Sequence, residues 1–102
     1  MKWIELVRVR SSGAALRAAM PALQAQIREI EGSVPGAETY LLQHALYDGD
    51  VAVVVVWRTN AEPRKSREGL MVAEQLKKLG PVDHAVWLPA KEETVKKKET
   101  RR

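Results

Sequence analysis

Seven consecutive residues, Val51-Ala52-Val53-Val54-Val55-Val56-Trp57, carry no polar side chain. In an extended chain Val51, Val53, Val55 and Trp57 project one way, and Ala52, Val54 and Val56 the other. A strand that is apolar on both faces must be covered on both, so this segment predicts the central strand of a sheet. It is far too short to cross a bilayer as a helix.

The flanking sequence supplies partners for that strand. Residues 2–10 are β-branched and aromatic enough for a strand, with Ile4 and Leu6 on one side and Trp3, Val7 and Val9 on the other. Ser11-Ser12-Gly13 offers a helix cap. Leu16, Met20, Leu23, Ile27 and Ile30 then recur in steps of four and three, which predicts one helical stripe over 14–31. Pro21 interrupts it, so the spacing predicts a kinked helix, or a short turn followed by a helix. Gly32 is read as the stop and Pro35-Gly36 as loop. A second strand is expected over 37–47, with Tyr40, Leu42, His44 and Leu46 on one face, and Asp48-Gly49-Asp50 as the hairpin turn into the valine strand. After a polar connection from Thr59 to Lys65, Ser66 caps a second helix. Leu70, Val72, Ala73, Leu76 and Leu79 form its apolar side, and Gly80-Pro81 ends it. Residues 83–88 make a fourth strand, closed by Pro89.

Composition narrows the function classes. The 102 residues, 45% of them hydrophobic, suffice for one core and are too few for two. The expected organisation is a single domain over 1–89 and a charged, disordered C-terminal tail over 90–102. With no cysteine there is no disulfide, thiolate metal site or thiol nucleophile. The amino terminus meets Glu5 before any long apolar run, which does not fit a signal peptide, and the expectation is a cytoplasmic protein with no membrane partner. Net charge is +4, but the last thirteen residues hold six of the 17 basic and three of the 13 acidic side chains. The body is therefore nearly neutral, and with only five aromatics it is not expected to bind nucleic acid specifically. The sequence has no glycine-rich phosphate loop, dinucleotide fingerprint, serine elbow or HExxH.

The order strand–helix–strand–strand–helix–strand is the ferredoxin-like βαββαβ unit, an α+β fold whose four-stranded antiparallel sheet carries two helices on one face. Val34-Pro35-Gly36 leads into a strand. An Asp-Gly-Asp hairpin follows, then a valine strand ending at Trp57, a polar connection, a helix and a short last strand. Over residues 2–89 this pattern resembles the dimeric α/β-barrel superfamily, and within it the antibiotic-biosynthesis-monooxygenase-like domains. The resemblance implies a homodimer, with a ligand pocket between sheet and helices in each protomer. It also implies oxygenase chemistry without a cofactor, carried by pocket Asn, Trp, Tyr and Arg side chains around a phenolic substrate. Trp57, Arg58 and Asn60 are the nearest counterparts here. Relatives that degrade haem carry an iron-ligating histidine on the second helix. This second helix, 66–79, has none, so no haem is expected and no other cofactor is implied.

The candidate catalytic residues are Asn60, Arg58 and His84, able to polarise an oxygen or move a proton. The candidate ligand-binding residues are Trp57, Tyr40, His44 and Trp87. Each has a simpler reading. The tryptophans suit core or interface packing, the tyrosines a polar rim, Asn60 a turn, and each histidine a locally bonded strand side chain. His44 and His84 should lie on opposite edge strands, so no metal site is expected. Two functions stay open. One is a cofactor-independent monooxygenase-like enzyme for a small aromatic or quinol-like compound. The other is a non-catalytic dimeric module that binds a small ligand or a protein. The homodimer should form through the sheet faces, because two helices on one face leave the other face of the valine strand bare.

Overall fold

A computed structural model describes residues 2–90, and the charged tail lies outside them apart from Ala90. Six elements follow in order: β1 (Lys2–Arg10), α1 (Gly13–Ser33), β2 (Ala37–Gln43), β3 (Asp50–Arg58), α2 (Arg67–Lys77) and β4 (Val82–Trp87). The sheet order is β2-β3-β1-β4, and every neighbouring pair is antiparallel. The valine strand is internal, as its double apolar face requires. This is the ferredoxin-like arrangement. Among the described residues no helix is long and apolar enough to cross a membrane.

The alternation along each strand sorts side chains between two environments. Trp3, Val7 and Val9 of β1 and Val51, Val53, Val55 and Trp57 of β3 are buried beneath the helices. From above they meet Leu16, Leu23, Ile27 and Ile30 of α1 and Val72, Ala73 and Leu76 of α2. Ile4, Leu6, Ala52 and Val54 face the other way and are only partly covered. Around them Tyr40 is 45% exposed, Leu42 51% and Trp87 60%.

α1 and β2 end elsewhere than expected, each for a local reason. α1 runs unbroken through Pro21. Pro21 and Arg17 are both exposed, so water can take the carbonyl that proline leaves without a donor, while the buried stripe stays in phase. The helix also passes Gly32 and ends at Ser33, where the Val34 amide bonds to the Ile30 carbonyl. The positive φ falls instead at Gly36 (83°), and a Cβ there would lie 2.8 Å from the Arg58 carbonyl oxygen. Finally, β2 stops at Gln43 rather than running to 47. His44 is the cause: its Nδ1 accepts from the amides of Leu46 (3.0 Å) and Tyr47 (3.3 Å), curling 44–49 into a loop.

Candidate active site

Glu5 lies on the buried side of β1 between Trp3 and Val7, and is 0% exposed. A carboxylate taken from water needs donors to replace its hydration. Four are supplied, from three different elements or their caps. The Trp57 indole Nε1–H donates to Oε1 at 3.1 Å, and the Ser66 hydroxyl to the same oxygen at 2.6 Å. The Ser66 amide donates to Oε2 at 2.9 Å, and His84 Nε2 stands 2.6 Å from that oxygen.

Local sequence explains how the partners arrive. Ser66 is the N-cap of α2, its Oγ accepting from the Gly69 amide at 2.9 Å while its hydroxyl proton goes to Glu5. The helix thus begins on a negative charge, which suits the positive end of its dipole. Gly69 permits the approach, since a Cβ there would fall 1.9 Å from Glu5 Oε2. Trp57 pairs with Trp3 across β1 and β3, and the two rings stack with centroids 5.4 Å apart. His84 is opposite Val7 on β4, with its side chain 7% exposed.

With Glu5 as a carboxylate, which only accepts hydrogen bonds, His84 donates from Nε2. Nδ1 then presents a lone pair, and among the described residues nothing bonds to it. A histidine held in one tautomer by a buried carboxylate can accept a proton at its other nitrogen. The carboxylate stabilises the imidazolium that results.

The sequence candidates divide between the Glu5 network, the bare face of the sheet and two separate loops. His84 and Trp57 meet on Glu5. Arg58 does not join them: it projects to the bare face, where its Nη2 lies 3.3 Å from Glu38 Oε1. Tyr40 is on the same face and donates its hydroxyl to Glu38 Oε2 at 2.6 Å. That bond, then Arg58, holds the Glu38 carboxyl below its usual range, and the same bond raises the Tyr40 phenol above its own. Asn60 is exposed in the bend after β3. Trp87 is on the bare face, and His44 sits in its loop with its ring against Tyr47, centroids 4.7 Å apart. Arg58, Asn60 and His84 therefore do not converge on one cavity. Among the described residues no three His, Asp or Glu side chains are grouped to hold a metal ion.

Glu5 and Trp3 carry more of the site than the sequence reading gave them. The available signal was parity, since Glu5 alternates with Trp3, Val7 and Val9, and a charge on that face must be buried with partners.

Two hollows bear on ligand access. The larger, about 850 Å³, is an open groove at the hairpin end, lined by Arg8, Arg10, His44, Tyr47 and Asp50 among others, and no member of the Glu5 network lines it. The smaller, about 390 Å³, is a crevice between α1 and α2 lined by residues including Gln26, Ile30, Val34, Arg67 and Met71. α2 begins on Glu5, and α1 leads into Ala37, which pairs with Trp57. Neither Trp3 nor Trp57 lines this crevice, and nor do Glu5 and His84.

Comparison with solved structures places the architecture. Rv0793 from Mycobacterium tuberculosis superposes with a TM-score of 0.66 at 21% identity, covering 91% of this chain and 99% of that one. A protein from Caulobacter crescentus assigned as an antibiotic biosynthesis monooxygenase gives 0.63 at 7% identity, covering 83% and 86%. The chain shares the ferredoxin-like fold of both proteins. A variant of SnoaB, a cofactor-independent oxygenase from Streptomyces nogalater, shares it with a TM-score of 0.55 at 17% identity, covering 87% and 93%. No family model matches the sequence. No curated protein matches it either. At such identities the fold is common ground, while the Glu5–His84 pair is a feature read from this chain alone.

Proposed function

We propose that this protein is a homodimeric, cofactor-independent oxygenase for small phenolic or quinol-like compounds, with His84 as general base and Glu5 as the carboxylate that orients it. The observation that carries this reading is the 2.6 Å contact between His84 Nε2 and the fully buried Glu5, which leaves Nδ1 as the proton acceptor. The fold shared with a protein described as a cofactor-independent oxygenase supports the choice of reaction class. His84 Nδ1 takes the phenolic proton, and Glu5 stabilises the imidazolium. The electron-rich phenolate then reduces dioxygen. One oxygen atom enters the ring as a carbonyl and the other leaves as water, so that phenol plus dioxygen gives quinone plus water. Trp57 and Ser66 keep the carboxylate in place throughout.

The test is oxygen uptake with 1-naphthol, which would yield 1,4-naphthoquinone and water. His84→Gln should lower the rate by roughly 10²–10⁴-fold. Uptake unchanged in a folded His84→Gln protein rejects the base assignment, and no uptake by wild type rejects the phenol-oxygenase reading for this probe. One observation favours a second reading, a binding module without catalysis. The four donors on Glu5 also tie β1, β3, β4 and the start of α2 together, which a purely structural clasp would do. On that reading naphthols bind and are released unchanged.

The dimer belongs to the same proposal. Tyr40, Leu42 and Trp87 are exposed and Ile4, Leu6 and Val54 half-buried on the helix-free face, an apolar surface that a second copy could cover. A second copy about a twofold axis covers this surface on both chains at once.

A further inference from the structure

Trp3 and Trp57 form a buried pair that the proton chemistry at His84 leaves unused. Trp3 is 1% exposed and Trp57 6%, and their rings stack with centroids 5.4 Å apart and planes inclined by 21°. The two indole N–H groups differ. That of Trp57 donates to the buried Glu5 carboxylate at 3.1 Å, whereas that of Trp3 has no acceptor among the described residues. A chain without cysteine gives up a single electron most readily from an indole or a phenol. A second ring stacked on the first shares the positive charge left behind. The indole radical cation is a far stronger acid than indole itself, and Glu5 Oε1 is in place to take the Trp57 proton. Trp3 has no such acceptor, so the oxidised state settles on Trp57 as a neutral radical. The apolar surroundings strengthen the hydrogen bond and keep the radical from water and solutes.

We propose that the Trp3–Trp57 pair is a reversible one-electron donor to oxygen-centred radicals of the alkoxyl class, with Glu5 as the base that holds the Trp57 proton. This activity goes beyond the oxygenase reading and does not depend on it. The electron passes from the pair to the alkoxyl radical, which takes a proton from water and becomes an alcohol. The Trp57 N–H bond breaks and a Glu5 O–H bond forms. A small enediol reductant such as ascorbate then returns one electron and releases its own proton to water, while the Glu5 proton goes back to Trp57. Over one cycle the alkoxyl radical gains one electron and one proton, and the reductant loses one of each. Tyr40 is the competing donor, since its hydroxyl already bonds to Glu38. It is 45% exposed, however, so its radical meets solutes that consume it.

The test is flash oxidation by tris(bipyridine)ruthenium(III) in the Trp87→Phe protein, which removes the exposed tryptophan and leaves Trp3 and Trp57 as the two indoles. The visible band of the neutral indolyl radical should appear, and should outlive that of free N-acetyltryptophanamide under the same flash. Ascorbate should abolish the band and return the full tryptophan fluorescence. Adding Trp57→Phe or Glu5→Gln should remove the neutral band and shift the signal to the longer wavelength of the radical cation, because the indole then has no base beside it. In the Trp87→Phe protein, a persistent radical cation or a tyrosyl band in place of the indolyl one overturns the proposal. So does a neutral radical no longer-lived than the free indole's, or fluorescence that ascorbate does not restore. These readings leave the Glu5 network intact, so they decide the matter even where the Trp57 or Glu5 variants fail to fold. A neutral band that survives in folded Trp57→Phe protein also overturns it. Naphthol oxidation plays no part, so the oxygenase reading and this one fail separately.

Discussion

Glu5 shows how a single residue can organise a fold this small. Its carboxylate accepts from three side chains and one amide, with no exposure to water. Glu5→Gln keeps the shape but places an NH₂ group among donors, leaving at least one of them unpaired. The expected loss is about 3 kcal/mol, measured by urea denaturation. A change below about 0.5 kcal/mol, the usual size of a surface substitution, would mean that the network is not holding the helix to the sheet. On the opposite face Glu38 offers a pH prediction. Its carboxyl is held low, first by the Tyr40 hydroxyl and then by Arg58. A group whose folded pKa is depressed contributes stability above its unfolded value, near 4.3 for glutamate, and loses it as pH falls through the folded value. Tyr40→Phe should therefore raise the Glu38 carboxyl toward its ordinary range in a ¹³C-detected titration. Tyr40 has the opposite sign, because its raised phenol contributes below pH 10 and loses that contribution as pH climbs past its folded value.

At the scale of elements, two helix positions should break the usual propensity rules in opposite directions. Gly69 is inside α2, where alanine ordinarily gains about 1 kcal/mol. Here the added methyl would meet Glu5 Oε2 at 1.9 Å, so Gly69→Ala should destabilise the protein and loosen His84 with it. A rise in Tm for that variant would contradict the close approach of α2 to the carboxylate. Pro21 is inside α1 but exposed, and its neighbours do not depend on its ring. Pro21→Ala restores an amide to the helix and should stabilise by about 1–3 kcal/mol, read from the same denaturation curves.

For the whole molecule the decisive question is what covers the bare face of the sheet. β3 assigns the test, since Val53 points into the core and Val54 away from the helices. Val54→Asp should give a folded monomer of 11.4 kDa in light scattering, where wild type gives about 23 kDa, twice the chain mass. Val53→Asp should unfold the chain, because it buries an unpaired charge among Leu and Val side chains. Wild type that scatters as a monomer at micromolar concentration would leave the apolar face without its proposed partner. Removal of residues 91–102 should change neither the thermal midpoint nor the number of chains in the assembly, since a segment so rich in charge gains little from burial.

The sequence alone determined the order and kind of the six elements, because period-two and period-3.6 patterns reflect which side chains must leave water. It also determined that β3 is central, since no exposed strand can be apolar on both sides. Both helix caps, Ser12 and Ser66, were legible for the same reason: their oxygens satisfy amides only a few residues away. Tertiary structure decided the site. Glu5, Trp57, Ser66 and His84 come from separate segments, and only strand register with the docking of α2 brings them together. Register also sent Arg58 to the far face and kept it from His84, although it directly follows Trp57 in the chain, because neighbouring residues on a strand point opposite ways. His44 was placed by its own ring, which bonded to local amides and ended β2 early. Local pattern specifies which residues are buried, but the partner of a buried charge is set by contacts between residues far apart in sequence.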